Sequence, residues 1–123
     1  MQLRMTYQTR QVLFTARKLH HATNSEILNE VRAELPDLSA TTVHRITSRL
    51  ISAGILAYGP EINGSKIIDA NTSPHDHFVC EACYGIKDIT ISQQSRNELQ
   101  KQVDSLVLKS RPTIAGDWTQ CAH

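Results

Sequence analysis

Ser39-Ala40-Thr41-Thr42-Val43-His44-Arg45-Ile46-Thr47-Ser48-Arg49-Leu50-Ile51-Ser52-Ala53-Gly54 decides the fold. Ser39 offers a side-chain oxygen to cap a helix start, and Gly54 stands where a helix stops on a residue of free φ. Val43, Ile46 and Leu50 fall on one helical face and point inward. The opposite face carries Thr41, Thr42, Arg45, Ser48, Arg49 and Ser52, with no acid among them. Short hydroxyl donors beside two guanidiniums suit a DNA groove, where Arg reaches guanine edges or phosphates. A plain solvated surface has the same pattern.

Working outward, Val12, Leu13, Ala16 and Leu19 share the face of an earlier helix. Thr23-Asn24-Ser25-Glu26 fits a capping box, in which a hydroxyl caps the start and Glu reaches back to the cap's own N–H. Ile27, Leu28, Val31 and Leu35 follow as its apolar stripe, ended by Pro36. Beyond Gly54, Ile55-Leu56-Ala57-Tyr58 reads as a strand, Gly59-Pro60 and Asn63-Gly64 as turns, and Lys66-Ile67-Ile68 as the returning strand. Three helices and a hairpin predict a winged helix-turn-helix over residues 1–68, its third helix entering the major groove.

Residues 69–74, polar and closed by Pro74, read as a hinge. In residues 75–123, His77-Phe78-Val79, Ile86–Ile91 and Pro112–Trp118 are strand-like. Ser95-x-x-Glu98 is a second capping box, with Leu99, Val103, Leu106 and Val107 behind it. So small a segment is expected to pair with a copy of itself or to be held by a metal. The fold class is α+β: a winged helix-turn-helix joined by a hinge to a small α/β domain.

Composition agrees. The 123 residues are 40% hydrophobic and 20% charged, ordinary globular values. No apolar run approaches the roughly 18 residues of a membrane span. Met1–Gln8 has no export signal, so the expected compartment is the cytoplasm. The net charge of +1 hides a split: residues 1–58 carry +3 and residues 59–123 carry −2. A basic half is joined to an acidic one.

Cys80-Glu81-Ala82-Cys83 is a pair that reads as a zinc knuckle or a thioredoxin-like redox pair. The redox reading needs a helix N-terminus, and Tyr84-Gly85 reads as a turn between strands instead. A structural zinc takes four ligands, and Cys80, Cys83 and Cys121 with His123 or an outside ligand would complete the set. A second cluster is His75-Asp76-His77, with Asp69 before it and Asp88 after it. Two imidazoles two apart in a strand face the same way. With carboxylates they make a mixed N/O set suited to Fe(II), Mn(II) or Zn(II).

Thr6-x-x-x-Arg10, His21-Ala22-Thr23, Ser39-x-x-Thr42-Val43-x-Arg45 and His75-x-His77-Phe78-x-Cys80-x-x-Cys83-x-Gly85-x-x-Asp88 occur in this order. The ordered set resembles the ferric uptake regulator family of metal-dependent transcription factors over nearly the whole chain. The resemblance implies a winged-helix DNA-binding domain, a hinge and a dimerisation domain stapled by zinc on four cysteines. It also implies a regulatory Fe(II) or Mn(II) on His21, Asp69, His75, His77 and Asp88. Asp at both acidic positions, and Pro74 where many iron-sensing members have His, resemble the peroxide-responsive subgroup. There, Fe(II) promotes oxidation of a ligand His, here His21 or His75.

The expectation is therefore a homodimeric repressor of palindromic, AT-rich DNA, read by Thr42, His44, Arg45, Ser48 and Arg49. Arg10 and Arg17 are expected nearer phosphates. Iron or zinc sensing within the family is the near alternative, and a small metalloprotein that does not bind DNA the distant one. No nucleophile–base pair or phosphate loop supports an enzyme. Two departures stand out: His44 replaces the family's usual Tyr, and His123 comes one residue before the expected fourth Cys.

Overall fold

The computed structural model describes residues 4–102, 112–119 and 121. They form two compact units divided between Thr72 and Ser73.

The first unit runs α1 (Tyr7–Leu19), β1 (His21–Ala22), α2 (Asn24–Val31), α3 (Ala40–Ser52), β2 (Ala57–Ile62) and β3 (Ser65–Asp69). Each helix begins on a hydroxyl: Thr6, Thr23 and Ser39 are the N-caps. The capping box at Thr23 is complete. Glu26 N–H donates to Thr23 Oγ1 at 3.1 Å, and Thr23 N–H donates to Glu26 Oε1 at 3.0 Å. The helix α3 closes as the Gly54 signal requires. At φ 77°, Gly54 lets its own N–H reach the Ile51 carbonyl (3.0 Å) while Ile55 N–H reaches Leu50 (2.9 Å).

Two boundaries differ from the sequence pattern. The helix α2 ends at Val31 rather than at Leu35. Ala33 and Glu34 bond three residues back, to Glu30 and Val31, tightening the chain out of the α-helix. The Arg32 guanidinium then holds the loop by donating twice to the Leu38 carbonyl, at 3.2 and 3.1 Å. In the hairpin only Asn63-Gly64 is a turn, with φ 51° and 80°, as a two-residue turn of this hand needs. Gly59-Pro60 lies inside β2, where the register shifts between Tyr58 and Glu61. A bulge on an edge strand tolerates a proline that has no N–H to give.

The core of this unit joins the apolar faces of all three helices: Val12 and Ala16, Ile27 and Val31, Val43 and Leu50, closed by Leu56 and Ile68. The Thr47 hydroxyl donates to Asn24 Oδ1 at 2.8 Å, pinning α3 to α2. The sheet order is β1-β3-β2, all antiparallel.

The second unit contains β4 (Asp76–Cys80), β5 (Ile86–Ile89), α4 (Gln93–Gln102) and β6 (Thr113–Gly116). The central strand β4 pairs antiparallel with β5 and parallel with β6. The cap of α4 is Ser92 rather than Ser95: Ser95 N–H donates to Ser92 Oγ at 3.1 Å, and Arg96 N–H to the Ser92 carbonyl at 2.9 Å. Val103, Leu106 and Val107 lie outside the described residues. Among those described, Val79 and Cys80 are the buried apolar residues of this unit, and α4 buries none.

Candidate metal centre

Three groups of donors stand on these elements. The first belongs to the first unit. The strand β1 places His21 directly across the ladder from Asp69, the last residue of β3. Asp69 is 1% exposed, and its Oδ2 lies 3.5 Å from His21 Nε2. Its other oxygen accepts the Asn71 N–H at 2.9 Å, which fixes the carboxylate.

The second group belongs to the second unit. His75 and His77 project to the same face at the start of β4, their rings edge to face at 4.5 Å. Asp88 pairs across the ladder with His77. Its Oδ1 lies 3.3 Å from His75 Nε2 and 3.5 Å from His77 Nε2. His75 Nδ1 contacts the Ser73 carbonyl. A carbonyl only accepts, so Nδ1 is the donor in this contact, and Nε2, which faces Asp88, is the ring atom left for a metal. Metal-ligating histidines are oriented by this kind of outer contact. Donors about 2.1 Å from one transition ion at a tetrahedral angle stand about 3.4 Å apart. The spacings in both groups fit that geometry, and their N/O chemistry fits Fe(II), Mn(II) or Zn(II).

The third group is Cys80, Cys83 and Cys121, all free thiols brought together. Sulfurs bound to one zinc at about 2.3 Å would stand about 3.8 Å apart; Cys80 and Cys121 Sγ are 3.7 Å apart. A turn shapes the pair. Cys80 N–H donates to the Gly85 carbonyl (2.9 Å) and Tyr84 N–H to the Cys80 carbonyl (2.8 Å), with Tyr84 at φ 62°. This is a turn between strands rather than a helix N-terminus, which favours the knuckle over the redox pair. The backbone N–H of Trp118 donates to Cys80 and, against burial, brings its thiol down to about 7. Hydrogen bonding to Cys83, with burial, pushes Cys121 up to about 12. One sulfur is thus readily ionised and another resists a second charge beside it, an arrangement a cation would resolve. His123 lies outside the described residues.

On α3, His44, Arg45 and Arg49 are exposed, Ser48 is half-buried, and Thr42 bonds its hydroxyl to Ser39 at 2.9 Å. Among the described residues no acid pairs with Arg45 or Arg49. Sequence reasoning missed two supports. Asp76, fully buried between the two histidines, accepts from Ile91 N–H (2.9 Å) and Arg96 Nη1 (3.4 Å), which ties β4 to α4. The strand β1 itself was also unforeseen, since two residues carry no periodicity.

Comparison with known proteins follows the same lines. The family model described as "Ferric uptake regulator family" matches residues 1–109. Over 125 residues the chain is 30% identical to the peroxide-responsive repressor PerR of Staphylococcus aureus, covering 97% of this chain and 82% of that one. It is 30% identical over 88 residues to ferric uptake regulation protein 1 of Mycolicibacterium fortuitum, covering 71% of this chain and 55%, about half, of that one. Among solved structures, the ferric uptake regulator of Francisella tularensis superposes with a TM-score of 0.76 at 20% identity, over 98% and 96% of the two chains. The Campylobacter jejuni peroxide stress regulator gives 0.70 at 24% identity, over 94% and 88%. The chain belongs to the ferric uptake regulator family, whose members are metal-responsive transcription regulators and not enzymes.

Proposed function

We propose that the chain is a homodimeric, metal-dependent repressor that senses peroxide through oxidation of a ligand histidine. The observation that carries this reading is the donor set: imidazole Nε2 atoms facing aspartates at 3.3 to 3.5 Å in both units, with Asp at both acidic positions. In this reading His21, Asp69, His75, His77 and Asp88 are halves of one regulatory site. Five residues separate Asp69 from His75, a tether of at most about 20 Å. A metal that binds the gathered form more tightly shifts the population toward it. Residues 1–68 then act as the DNA-binding domain, 69–74 as the hinge and 75–123 as the dimerisation domain. Zinc on Cys80, Cys83 and Cys121, with His123 or an outside donor, staples the last.

On DNA, Arg45 and Arg49 reach base edges or phosphates from α3, with Thr42, His44 and Ser48 beside them. Two-fold symmetry sets half-sites about one helical turn apart in a palindromic operator, here proposed to be AT-rich. A cytoplasmic location follows from that role; no helix among the described residues is long and apolar enough to cross a membrane.

Fe(II) bound at the regulatory site would supply reductive activation of hydrogen peroxide next to an imidazole. At this chain's atoms the outcome is one oxygen added to a ring carbon of His21 or His75. A C–H becomes C–O, and water is the other product. The altered ring donates poorly, and the gathered form loses its tie. Peptide mass spectrometry of the Fe(II)-loaded protein before and after stoichiometric peroxide tests this. One added oxygen on the His21 or His75 peptide is expected, absent in the Mn(II) form. Unmodified peptides in both forms, with DNA binding controlled by zinc alone, would assign the chain to zinc sensing instead.

A further inference from the structure

His20 takes no part in the donor set, yet it has the most unusual backbone near it. It is the single residue between α1, ending at Leu19, and β1, beginning at His21. Its φ of 72° and ψ of −57° lie in a tight-turn region that residues with a Cβ avoid. Such conformations persist only where the surroundings over-determine them, and here they do. His20 N–H donates to the Ala16 carbonyl at 2.9 Å, closing α1, and its carbonyl accepts the Ala70 N–H at 3.0 Å, joining β3's end. Ala16 is buried in the core on one side, and the His21–Asp69 ladder pair begins at once on the other. The His20 ring stands edge to face against His21 at 4.9 Å.

We propose that His20 is a positioning residue for the regulatory site. Its strained backbone turns the chain from helix to strand in one step and holds His21 Nε2 against Asp69. The ordering of this pair is then met during folding rather than at metal uptake. The inference rests on the proposed metal site and adds the device that shapes its first half.

The full chain and its variants H20G, H20A and H21A test it by Mn(II) titration, read from the electron paramagnetic resonance of free Mn(II), and by thermal unfolding without metal. Glycine adopts positive φ freely. H20G should therefore melt at or above the wild-type temperature while binding Mn(II) about tenfold more weakly, the scale of losing an outer-shell support. H20A keeps the turn and loses the ring; it should melt lower than H20G and bind within about threefold of wild type. Stability and affinity moving in opposite directions in H20G is the signature that a merely structural role would not produce. H20G binding as tightly as wild type, H20G losing stability and affinity together, or H20A losing as much affinity as H20G would each overturn the proposal. If H21A binds Mn(II) as wild type does, the proposed site falls with it; a weaker H21A beside an unchanged H20G overturns this inference alone.

Discussion

Gly85 shows how much one hydrogen atom decides. A Cβ at this position would lie 2.6 Å from a Trp118 ring carbon and 3.3 Å from Cys83 Sγ. Trp118 in turn stacks on Phe78 of β4 at 5.7 Å, so the indole cannot retreat without disturbing the strand that carries the donors. Gly85→Ala is expected to destabilise the chain by about 1–3 kcal/mol, the usual cost of overpacking, and to lower its zinc content. Urea unfolding followed by the fluorescence of Trp118, the sole tryptophan, together with metal analysis, checks both. An unchanged midpoint and full zinc would show that the indole is free to move. At this scale the sequence was informative where chemistry is local. The His-x-His spacing on a strand named His75 and His77, and the cysteine spacing named the thiols. Asp76 was silent, because its partners Ile91 and Arg96 are 15 and 20 residues away and meet it only once α4 packs on the sheet.

Elements were legible in proportion to how locally they are held. The three hydroxyl caps and the Gly54 stop were readable because each bonds within a few residues. The strand β1 was not, because its existence depends on pairing with β3, nearly 50 residues on. Gly59-Pro60 misled for a related reason: the pair marks a break in the ladder, and a bulge breaks it as well as a turn does. Leu35 misled because apolar spacing continues after the helix has tightened, and the residue still packs against the core. The capping box next to the donor His21 gives the prediction at this scale. Thr23→Ala removes the acceptor for Glu26 N–H and should cost about 1 kcal/mol of stability. Denaturant unfolding should show a lower midpoint at an unchanged slope. A neutral result would mean that packing of Ile27 and Val31 holds the helix start without the cap.

For the whole molecule, the two units differ in how they are held. The first has a continuous apolar core drawn from three helices. The second, among the described residues, buries little beyond Val79 and Cys80 and instead collects thiols, imidazoles and carboxylates. Charge divides more weakly between them, +2 in residues 1–72 and −1 in residues 73–123; divided after residue 58, it is +3 before and −2 after. A near-neutral total thus conceals a basic first half and an acidic second half rich in thiols, imidazoles and carboxylates. In the proposed reading, so modest a positive charge means that DNA affinity comes from two correctly placed copies of the first unit and from the cation itself, and phosphate contacts make it fall with salt. The central claim is that metal converts this chain into a DNA binder, and a gel shift on palindromic AT-rich DNA at low salt, with and without Mn(II), tests it most directly. A retarded complex that needs Mn(II), weakens as salt is raised and is lost when both Arg45 and Arg49 are replaced by Ala is the expected result; equal binding with and without metal, or no binding under either condition, would contradict the account.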